Sequence, residues 1–326
     1  MKKLTFRQRA KLERGRRIAA AALSLTIVAS GAGAAIGAGA VDADAVDNVA
    51  QECAEASMQE STVSIATNAR SSIPASAKEI DLIINGRHVL DGKVFYMNGS
   101  TYVPMFAFAD WLGYFNSTYK TSTKLARITG ENLDISATVG KRYISANGRY
   151  FYTENEVVLY NGVVYVPILP MVKALNGYVH FDSSRGAFVV SSGDTRRLKS
   201  AEQVYREDEV YWLARIISSE AGAESLEGKI AVGNVVLNRV RSEYFPNTIY
   251  GVIFDKKFGV QFSPVANGTI YKEPTAESIV AAKICLEGYT LSSEVLYFMN
   301  PDIATSSWIS NNRTYAFRIG NHVFYE

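Results

Sequence analysis

The sequence is poor in the side chains that bind metal ions or form disulfides. Its 326 residues include only two cysteines and three histidines. Cys285 lies in an apolar helical run and is expected to be buried, Cys53 lies in a polar stretch, and two cysteines do not make a disulfide framework. The histidines are widely separated, and the C-x-x-C, H-E-x-x-H and EF-hand patterns are absent. We therefore expect neither a metal site nor a bound cofactor.

The net positive charge of the chain comes from its N-terminus. Eight lysines and arginines fall within residues 1–17, where Glu13 is the one acidic side chain. The rest of the chain is net acidic and has no basic patch with interleaved aromatic residues. Binding to nucleic acid is therefore not expected.

The N-terminus has the layout of an export signal. Residues 18–40 carry no charged side chain and end on Ala38-Gly39-Ala40, an A-x-A cleavage pattern. We predict that residues 1–40 are a signal peptide or, alternatively, an uncleaved membrane anchor, since the apolar run is long enough to cross a bilayer. The remainder is expected to be exported, with membrane contact only through an uncleaved N-terminal segment. Residues 41–77 are polar, Ala-rich and Ser-rich, and are predicted to be a linker.

Residues 79–193 contain an internal repeat. In each copy an N-G-R motif, an N-G pair and a Y-V-P motif follow in the same order, beginning at Asn85, Asn98 and Tyr102 in the first copy and at Asn147, Asn161 and Tyr165 in the second. Each Asn-Gly pair predicts a hairpin turn, because both residues tolerate positive φ. A short apolar stretch after each proline predicts a helix. The pattern thus predicts a duplicated β-rich module with one helix per copy.

These landmarks resemble the copper amine oxidase N-terminal-like domain family. The resemblance implies a non-catalytic module of exported bacterial envelope proteins, either a folded spacer or a wall-binding element. No copper site is expected, because the module has no histidine cluster. Four tyrosines are expected to be exposed and able to stack on sugars, although tyrosine is also a common strand residue: Tyr143, Tyr150, Tyr152 and Tyr160.

One acidic residue has the context of a catalytic acid. Glu220 follows the apolar residues Ile216 and Ile217 at the predicted end of a helix and precedes a turn that contains Gly222. Apolar surroundings raise the pKa of a carboxyl group and keep its proton available near neutral pH. A carboxylate near a helix C-terminus is disfavoured by the helix dipole, so its placement calls for a reason. The alternative is an exposed side chain at a frayed helix end.

The surrounding motifs resemble the spore cortex-lytic enzyme family, also called cell wall hydrolases. They follow one another through nearly all of residues 210–326, as S-E-A-G-A-E, V-L-N-R-V, F-P-N-T-I, Q-F-S, L-Y-F, N-P and I-G-N-H-V-F-Y. The resemblance implies a lysozyme-like, lytic-transglycosylase-type domain that acts on peptidoglycan, with Glu220 as its catalytic acid. Where family members often have Arg in the turn, this chain has Gly222-Ala223.

Glu224 is the nearest second carboxyl group. It is a candidate for substrate contact, but an acidic side chain at this position is also expected to cap the next helix. A transglycosylase needs only one carboxyl group, because the C6 hydroxyl of the muramoyl residue attacks its own anomeric carbon. A hydrolase needs a second group to hold water or to form a glycosyl-enzyme. Asp255 and Asp302 lie in predicted loops and lack the apolar context of Glu220.

Polar and aromatic side chains set among apolar residues are the other candidates for substrate contact. With Glu224, the predicted substrate-binding residues are Gln261, Ser263, Asn238, Tyr297 and Trp308. A structural hydrogen bond from helix to loop explains Asn238 equally well. Tyr315 and Tyr325 are further subsite candidates, but Phe324 and Tyr325 suit the core as well, and His322 is expected to be structural.

The predicted fold class is α+β multidomain. The duplicated module (79–193) is followed by a linker (194–205) and a mainly helical, lysozyme-like catalytic domain (206–326). We expect an exported bacterial enzyme, of a Gram-positive cell envelope or spore, that cleaves peptidoglycan strands between N-acetylmuramic acid and N-acetylglucosamine, as in cortex lysis during germination. The alternatives are a hydrolytic muramidase or glucosaminidase and a non-catalytic wall-binding protein. The sequence carries no signal for an oligomeric state.

Overall fold

The structure, a computed structural model, describes residues 73–113, 116–191, 198–257 and 259–326. The predicted signal peptide, Cys53, most of the predicted linker 41–77 and the start of the linker 194–205 lie outside these residues. The described residues all belong to one compact unit. No helix among the described residues combines the length and the apolar character needed to cross a bilayer.

The strand-rich module is defined here as residues 78–191. Its helices are α1 (Met105–Trp111) and α2 (Ile168–Ala174). Its strands are β1 (Lys78–Glu79), β2 (Asp81–Ile84), β3 (Arg87–Val89), β4 (Phe95–Met97), β5 (Ser100–Pro104), β6 (Asn116–Lys120), β7 (Leu125–Gly130), β8 (Leu133–Thr138), β9 (Tyr143–Ala146), β10 (Arg149–Tyr152), β11 (Val158–Tyr160), β12 (Val163–Pro167), β13 (Tyr178–Asp182) and β14 (Ala187–Ser191).

All four predicted Asn-Gly pairs form tight hairpin turns. Asn85, Asn98, Asn147 and Asn161 have φ values of 49°, 51°, 50° and 47°, and the glycine after each also has positive φ. The turns join β2 to β3, β4 to β5, β9 to β10 and β11 to β12. Positive φ at both central residues matches the right-handed twist of the flanking strands, which is why Asn-Gly is favoured here.

The strands form three sheets in which the two predicted copies are interleaved. The sheet orders are β1-β4-β5-β12-β11, β10-β9-β8-β7-β6 and β13-β14-β2-β3. β5 pairs with β12 of the other copy, and β14 lies parallel to β2 of the first copy. Because all three sheets draw strands from both copies, neither copy is an independent structural unit.

The helical domain is defined here as residues 201–326. Its three strands, β15 (Tyr297–Met299), β16 (Tyr315–Ile319) and β17 (His322–Tyr325), form a sheet in the order β15-β17-β16. Its helices are α3 (Ala201–Val204), α4 (Glu207–Ala221), α5 (Leu226–Arg241), α6 (Ile249–Ile253), α7 (Ser263–Asn267), α8 (Ala276–Leu286) and α9 (Trp308–Asn312). This mixture of helices and strands fits the predicted α+β class, and the lysozyme-like arrangement stays a prediction.

Helices α4, α5 and α8 pack against one another around an apolar core. A Cβ atom on Gly233 of α5 would lie 2.7 Å from Sγ of Cys285 on α8 and 2.9 Å from Cδ1 of Ile217 on α4, so glycine permits this close approach. Cys285 is buried, as expected. Ser225 caps the start of helix α5, and its hydroxyl accepts a hydrogen bond from the Gly228 N–H at 3.2 Å. Such a cap satisfies one of the free N–H groups at a helix start.

The expectation of exposed tyrosines in the strand-rich module is wrong. Tyr143, Tyr150 and Tyr152 are partly buried and pack against the core of the helical domain. Tyr160 is also partly buried and packs against an aromatic cluster inside the module. Aromatic rings bury large apolar areas, so these side chains stabilise packing instead of forming an open sugar-binding surface.

Candidate functional site

Glu220 lies in the last turn of α4, and its side chain is partly buried. Ile216 and Ile217, just ahead of it, are fully buried. This burial raises the pKa of the Glu220 carboxyl group to about 7, while the positive charge of Arg239 acts in the opposite direction. A carboxyl group with a pKa near the working pH holds its proton in much of the population and also loses it readily, which is what acid–base catalysis requires.

Arg239 is the cation beside this acid. It lies on α5, is 5% exposed, and its Nε donates a hydrogen bond to the Leu296 carbonyl oxygen at 2.8 Å. Its guanidinium carbon lies 5.0, 5.1 and 5.5 Å from the ring centres of Phe245, Phe262 and Tyr297. Burial lowers the pKa of Arg239 to about 10, so the group is still cationic at neutral pH. Its Nη1 atom has no hydrogen-bond partner among the described residues.

Sequence reasoning missed Arg239 as a functional residue. The available signal was a single arginine near the end of the apolar run Val235-Val236-Leu237 in α5. A charged side chain at this point of a helix is usually solvated. The burial of Arg239 depends on the nearby Phe245 and on two rings that are distant in sequence, Phe262 and Tyr297.

Tyr297 and Trp308, both predicted substrate contacts, lie next to each other, and Tyr297 contacts Arg239. Their ring centres are 6.5 Å apart. The guanidinium carbon of Arg313 lies 4.5 Å from the ring centre of Tyr297 and 5.1 Å from that of Trp308. Trp308 is 52% exposed. Cations and rings therefore alternate in a row from the buried Arg239, through Tyr297 and Arg313, to the exposed indole of Trp308.

Gln261 and Ser263 flank Phe262, one of the rings around Arg239. Gln261 is partly buried, and its Nε2 donates a hydrogen bond to the Gly259 carbonyl oxygen at 3.1 Å. Ser263 is exposed at the first position of α7. Phe262 is buried and contacts Arg239, so the segment that carries the two polar residues passes close to that arginine.

Asn238 is 3% exposed, and its side-chain amide is hydrogen-bonded to the loop that contains Ser292 and Val295. Its Nδ2 donates to the carbonyl oxygens of Ser292 and Val295, at 2.9 Å each. Both amide hydrogens are thereby used within the protein. Of the two interpretations of Asn238 made from the sequence, this geometry favours the structural hydrogen bond over contact with substrate.

The expectation that Glu224 caps α5 is wrong, because Ser225 is the cap. The Oε1 atom of Glu224 accepts hydrogen bonds from the backbone N–H and the side-chain amide of Asn321, at 3.4 and 3.0 Å. It also lies 3.7 Å from Nδ1 of His322, whose pKa is lowered by burial. Glu224 is directed to the turn between β16 and β17, and His322 is buried at the start of β17, consistent with a structural histidine.

Phe324 and Tyr325 are buried, whereas Tyr315 is exposed, so β17 contributes the core residues of this sheet.

Asp255, set aside as a loop residue, is nearer to the site than expected. It follows α6, is partly buried, and interacts electrostatically with Arg239, as Tyr297 and Glu220 do. Among the described residues no group of three or more His, Cys, Asp and Glu side chains is arranged to hold a metal ion.

Comparison with known families assigns both parts of the chain. The cell wall hydrolase family model matches residues 223–325, and the copper amine oxidase N-terminal domain model matches residues 83–190. The chain carries a cell wall hydrolase domain. Both matches agree with the resemblances seen in the sequence. Glu220 lies just ahead of the matched range, so its role depends on the geometry described above.

The helical domain, residues 201–326, is called the hydrolase domain from here on. Its relatives include spore cortex-lytic enzymes. The chain is 39% identical over 122 residues to that of Bacillus subtilis strain 168, and 38% identical over 122 residues to that of Oceanobacillus iheyensis. The matches cover 37% of this chain and 39% and 43% of those proteins, so the chain spans less than half the length of either. The catalytic domain of the germination-specific lytic transglycosylase SleB from Bacillus anthracis is 37% identical, with 97% of that domain and 37% of this chain covered and a TM-score of 0.35.

The strand-rich module is attached to the hydrolase domain through Glu287, just after α8. The two carboxylate oxygens of Glu287 accept hydrogen bonds from Nε and Nη2 of Arg149 on β10, both at 2.7 Å. The Tyr205 hydroxyl donates to the same carboxylate at 2.5 Å, and burial together with this bond raises the Tyr205 pKa. The Glu287 side chain is 5% exposed. A buried carboxylate therefore depends on a cation supplied by the module.

A second carboxylate of the hydrolase domain, Glu227 in the first turn of α5, also binds side chains of the strand-rich module. It accepts a hydrogen bond from Arg142 and another, at 2.9 Å, from the hydroxyl of Tyr152. Burial opposes its ionisation, but these hydrogen bonds lower the pKa of Glu227 overall. Because Glu227 follows the loop that connects α4 to α5, the module contacts the hydrolase domain close to the end of the helix that carries Glu220.

Proposed function

We propose that the protein cleaves peptidoglycan between N-acetylmuramic acid and N-acetylglucosamine, as a lytic transglycosylase with Glu220 as its single catalytic carboxyl group. The observation that carries this proposal is the partly buried Glu220, with a pKa of about 7, beside the cationic Arg239. The hydrolase domain and its spore cortex-lytic relatives support the substrate class. The site of action is the cell envelope or the spore, after export.

In the first step Glu220 acts as an acid. Its proton passes to the glycosidic oxygen as the bond from that oxygen to the anomeric carbon of the muramoyl residue breaks, and positive charge develops on the sugar. Glu220 is left as a carboxylate. The guanidinium of Arg239 stabilises this new negative charge, which matters more in an apolar site than in water.

In the second step Glu220 acts as a base. The C6 hydroxyl of the same muramoyl residue attacks its anomeric carbon and gives its proton to the Glu220 carboxylate. A 1,6-anhydro ring forms, the acid is regenerated, and no water is consumed. One carboxyl group serves both steps only if its pKa lies near neutral pH, and the opposing effects of burial and Arg239 account for such a value.

A water-using glycosidase is the second candidate, favoured by Asp255. This carboxylate interacts with Arg239, as Glu220 does. A hydrolase needs a second carboxylate to activate water or to form a glycosyl-enzyme. In that mechanism Asp255, and not Glu224, is the second group, because Glu224 is already bonded to Asn321.

Digestion of purified sacculi separates these candidates. We expect the full-length protein to release fragments that end in 1,6-anhydromuramic acid, detected by mass spectrometry, and Glu220→Gln to release none. Glu243→Gln, which changes an exposed glutamate of the same domain, is the control and keeps full activity. Fragments with reducing ends that disappear in Asp255→Asn identify a hydrolase. Binding to sacculi without release of any fragment identifies a non-catalytic wall-binding protein.

A further inference from the structure

A cluster of five aromatic rings lies on the surface of the hydrolase domain, outside the site described above. The ring centre of Trp212 lies 4.9 to 6.3 Å from those of the four others, and Tyr250 stacks on Phe254 at 4.5 Å. Three of the rings are open to solvent, with exposed fractions of 45% to 62%. We call this cluster the aromatic platform; its members are Tyr211, Trp212, Tyr250, Phe254 and Tyr271.

A buried arginine holds the platform in place. Arg215 is 4% exposed, and its guanidinium carbon lies 4.3 Å from the ring centre of Tyr211. The same guanidinium donates to the Lys272 carbonyl oxygen and to Glu273, each at 2.5 Å. It therefore ties Tyr211 on α4 to the residues that follow Tyr271. Binding to rings that are already ordered costs less conformational entropy than binding to mobile ones.

The platform lies along the helix that carries the catalytic acid. Trp212 and Glu220 are eight residues apart on α4, which corresponds to about 12 Å along the helix axis. Between them, the Ser219 hydroxyl donates a hydrogen bond to the carbonyl oxygen of Thr269, in the short 3-10 helix that ends at Tyr271. A glycan strand cleaved at Glu220 and extending along α4 reaches these rings.

We propose that the aromatic platform is a second glycan-binding site, which holds an uncleaved part of the peptidoglycan strand while Glu220 acts on another. The inference rests on the proposed function. Scattered aromatic residues are normal on a protein surface, but a contiguous group of them marks an interaction site. The flat apolar face of a pyranose packs on an aromatic ring, and tyrosine hydroxyls at the edge of the platform bond to sugar hydroxyls.

The charges around the platform favour a neutral strand over a charged partner. Arg215 is paired with Glu273, and Arg206, near the start of α4, is paired with Asp208 at 2.8 Å. Neither arginine therefore presents an uncompensated charge beside the rings. The occupant that fits is the sugar backbone of peptidoglycan, and the platform increases the time that the enzyme stays on a polymeric substrate.

The test compares ring removal with ring retention in the full-length protein. Tyr250→Ala/Tyr271→Ala, made together with Glu220→Gln to prevent cleavage, should bind purified sacculi at least about tenfold more weakly in a sedimentation assay. Tyr250→Phe/Tyr271→Phe keeps the rings and should retain most of the binding. Tyr244→Ala removes another exposed tyrosine of the same domain, 74% exposed, and should bind like the parent.

Activity provides the second readout. With Glu220 intact, the double alanine variant should degrade sacculi with a higher KM but cut a short soluble fragment of the same glycan at the wild-type rate. Unchanged sedimentation, or equal losses on short and polymeric substrates, overturns the platform proposal. A wild-type protein that releases no fragments from sacculi refutes the proposed function instead, so the two failures are distinguishable.

Discussion

Arg149 of the strand-rich module and Glu287 of the hydrolase domain form a bidentate ion pair, with both N–O distances 2.7 Å. The pair joins two parts of the chain that the sequence presents as separate modules with a linker between them. Tyr205, from that predicted linker, donates to the same carboxylate. The module is therefore part of the same compact unit as the proposed catalytic site.

Removing the cation of this pair should destabilise the protein. Arg149→Met leaves Glu287 buried without a compensating charge, and we expect a loss of about 3 kcal/mol in the free energy of unfolding, measured by chemical denaturation. Arg127→Met is the matched control, because Arg127 and Asp134 form a bidentate pair whose side chains are about half exposed. Its cost should be at most about 1 kcal/mol. Equal losses in the two variants contradict the structural role assigned to Glu287.

Gly320 should not tolerate a side chain. Its φ is +54°, and a Cβ atom would lie 1.9 Å from Oε2 of Glu224. Gly320→Ala is expected to displace Glu224 from the turn that contains Asn321 and to lower the thermal unfolding temperature. Gly268→Ala, with φ +78° and open space around the new Cβ, carries only the backbone strain and should cost about 1 kcal/mol. Similar losses show that the Glu224 contact contributes nothing.

The burial of Glu220 should appear as pH-dependent stability. Its pKa is raised from an ordinary value of 4.5 to about 7, so the folded protein binds this proton more tightly than the unfolded chain. The stabilisation from proton binding is complete below about pH 4.5 and is lost as the pH rises through about 7. At pH 8 Glu220→Gln should therefore be more stable than the wild type by up to about 3 kcal/mol, and at pH 4 this difference should vanish. A gain that does not change with pH contradicts a raised pKa.

Arg239 should control the alkaline side of the activity profile. Its positive charge lowers the pKa of Glu220, so Arg239→Gln should raise that pKa and move the loss of activity at high pH upward by about one pH unit. The reason is that Glu220 then keeps its proton at higher pH. Arg313→Gln is the control, since Arg313 stacks on the same ring of Tyr297 but is not among the groups that shift the Glu220 pKa. A lower rate without a displaced profile indicates a purely structural role for Arg239.

Local features of the fold were predictable because short-range chemistry determines them. The Asn-Gly pairs require positive φ and form hairpins, and Pro104 and Pro167 immediately precede α1 and α2. The interleaving of the two copies was not predictable. The pairing of β14 with β2 joins residues about a hundred positions apart, and nothing in either segment specifies a partner at that distance.

The site was predictable only in part, for related reasons. Glu220 could be found because its apolar neighbours are adjacent in sequence. Arg239 could not, since its surroundings come from Phe245, Phe262 and Tyr297. Glu224 was misassigned because Ser225, one position later, is the better cap. The Glu224 carboxylate accepts a hydrogen bond from Asn321, which is 97 residues away in the sequence.

The protonation of Glu220 can be measured directly. Infrared difference spectroscopy of the full-length protein against Glu220→Gln, recorded as a function of pH, isolates the carboxyl band of this side chain. We predict a titration midpoint near pH 7 that coincides with the alkaline loss of peptidoglycan cleavage. A midpoint near the ordinary value for a glutamate, with cleavage continuing well above it, contradicts the account of Glu220 as the catalytic acid.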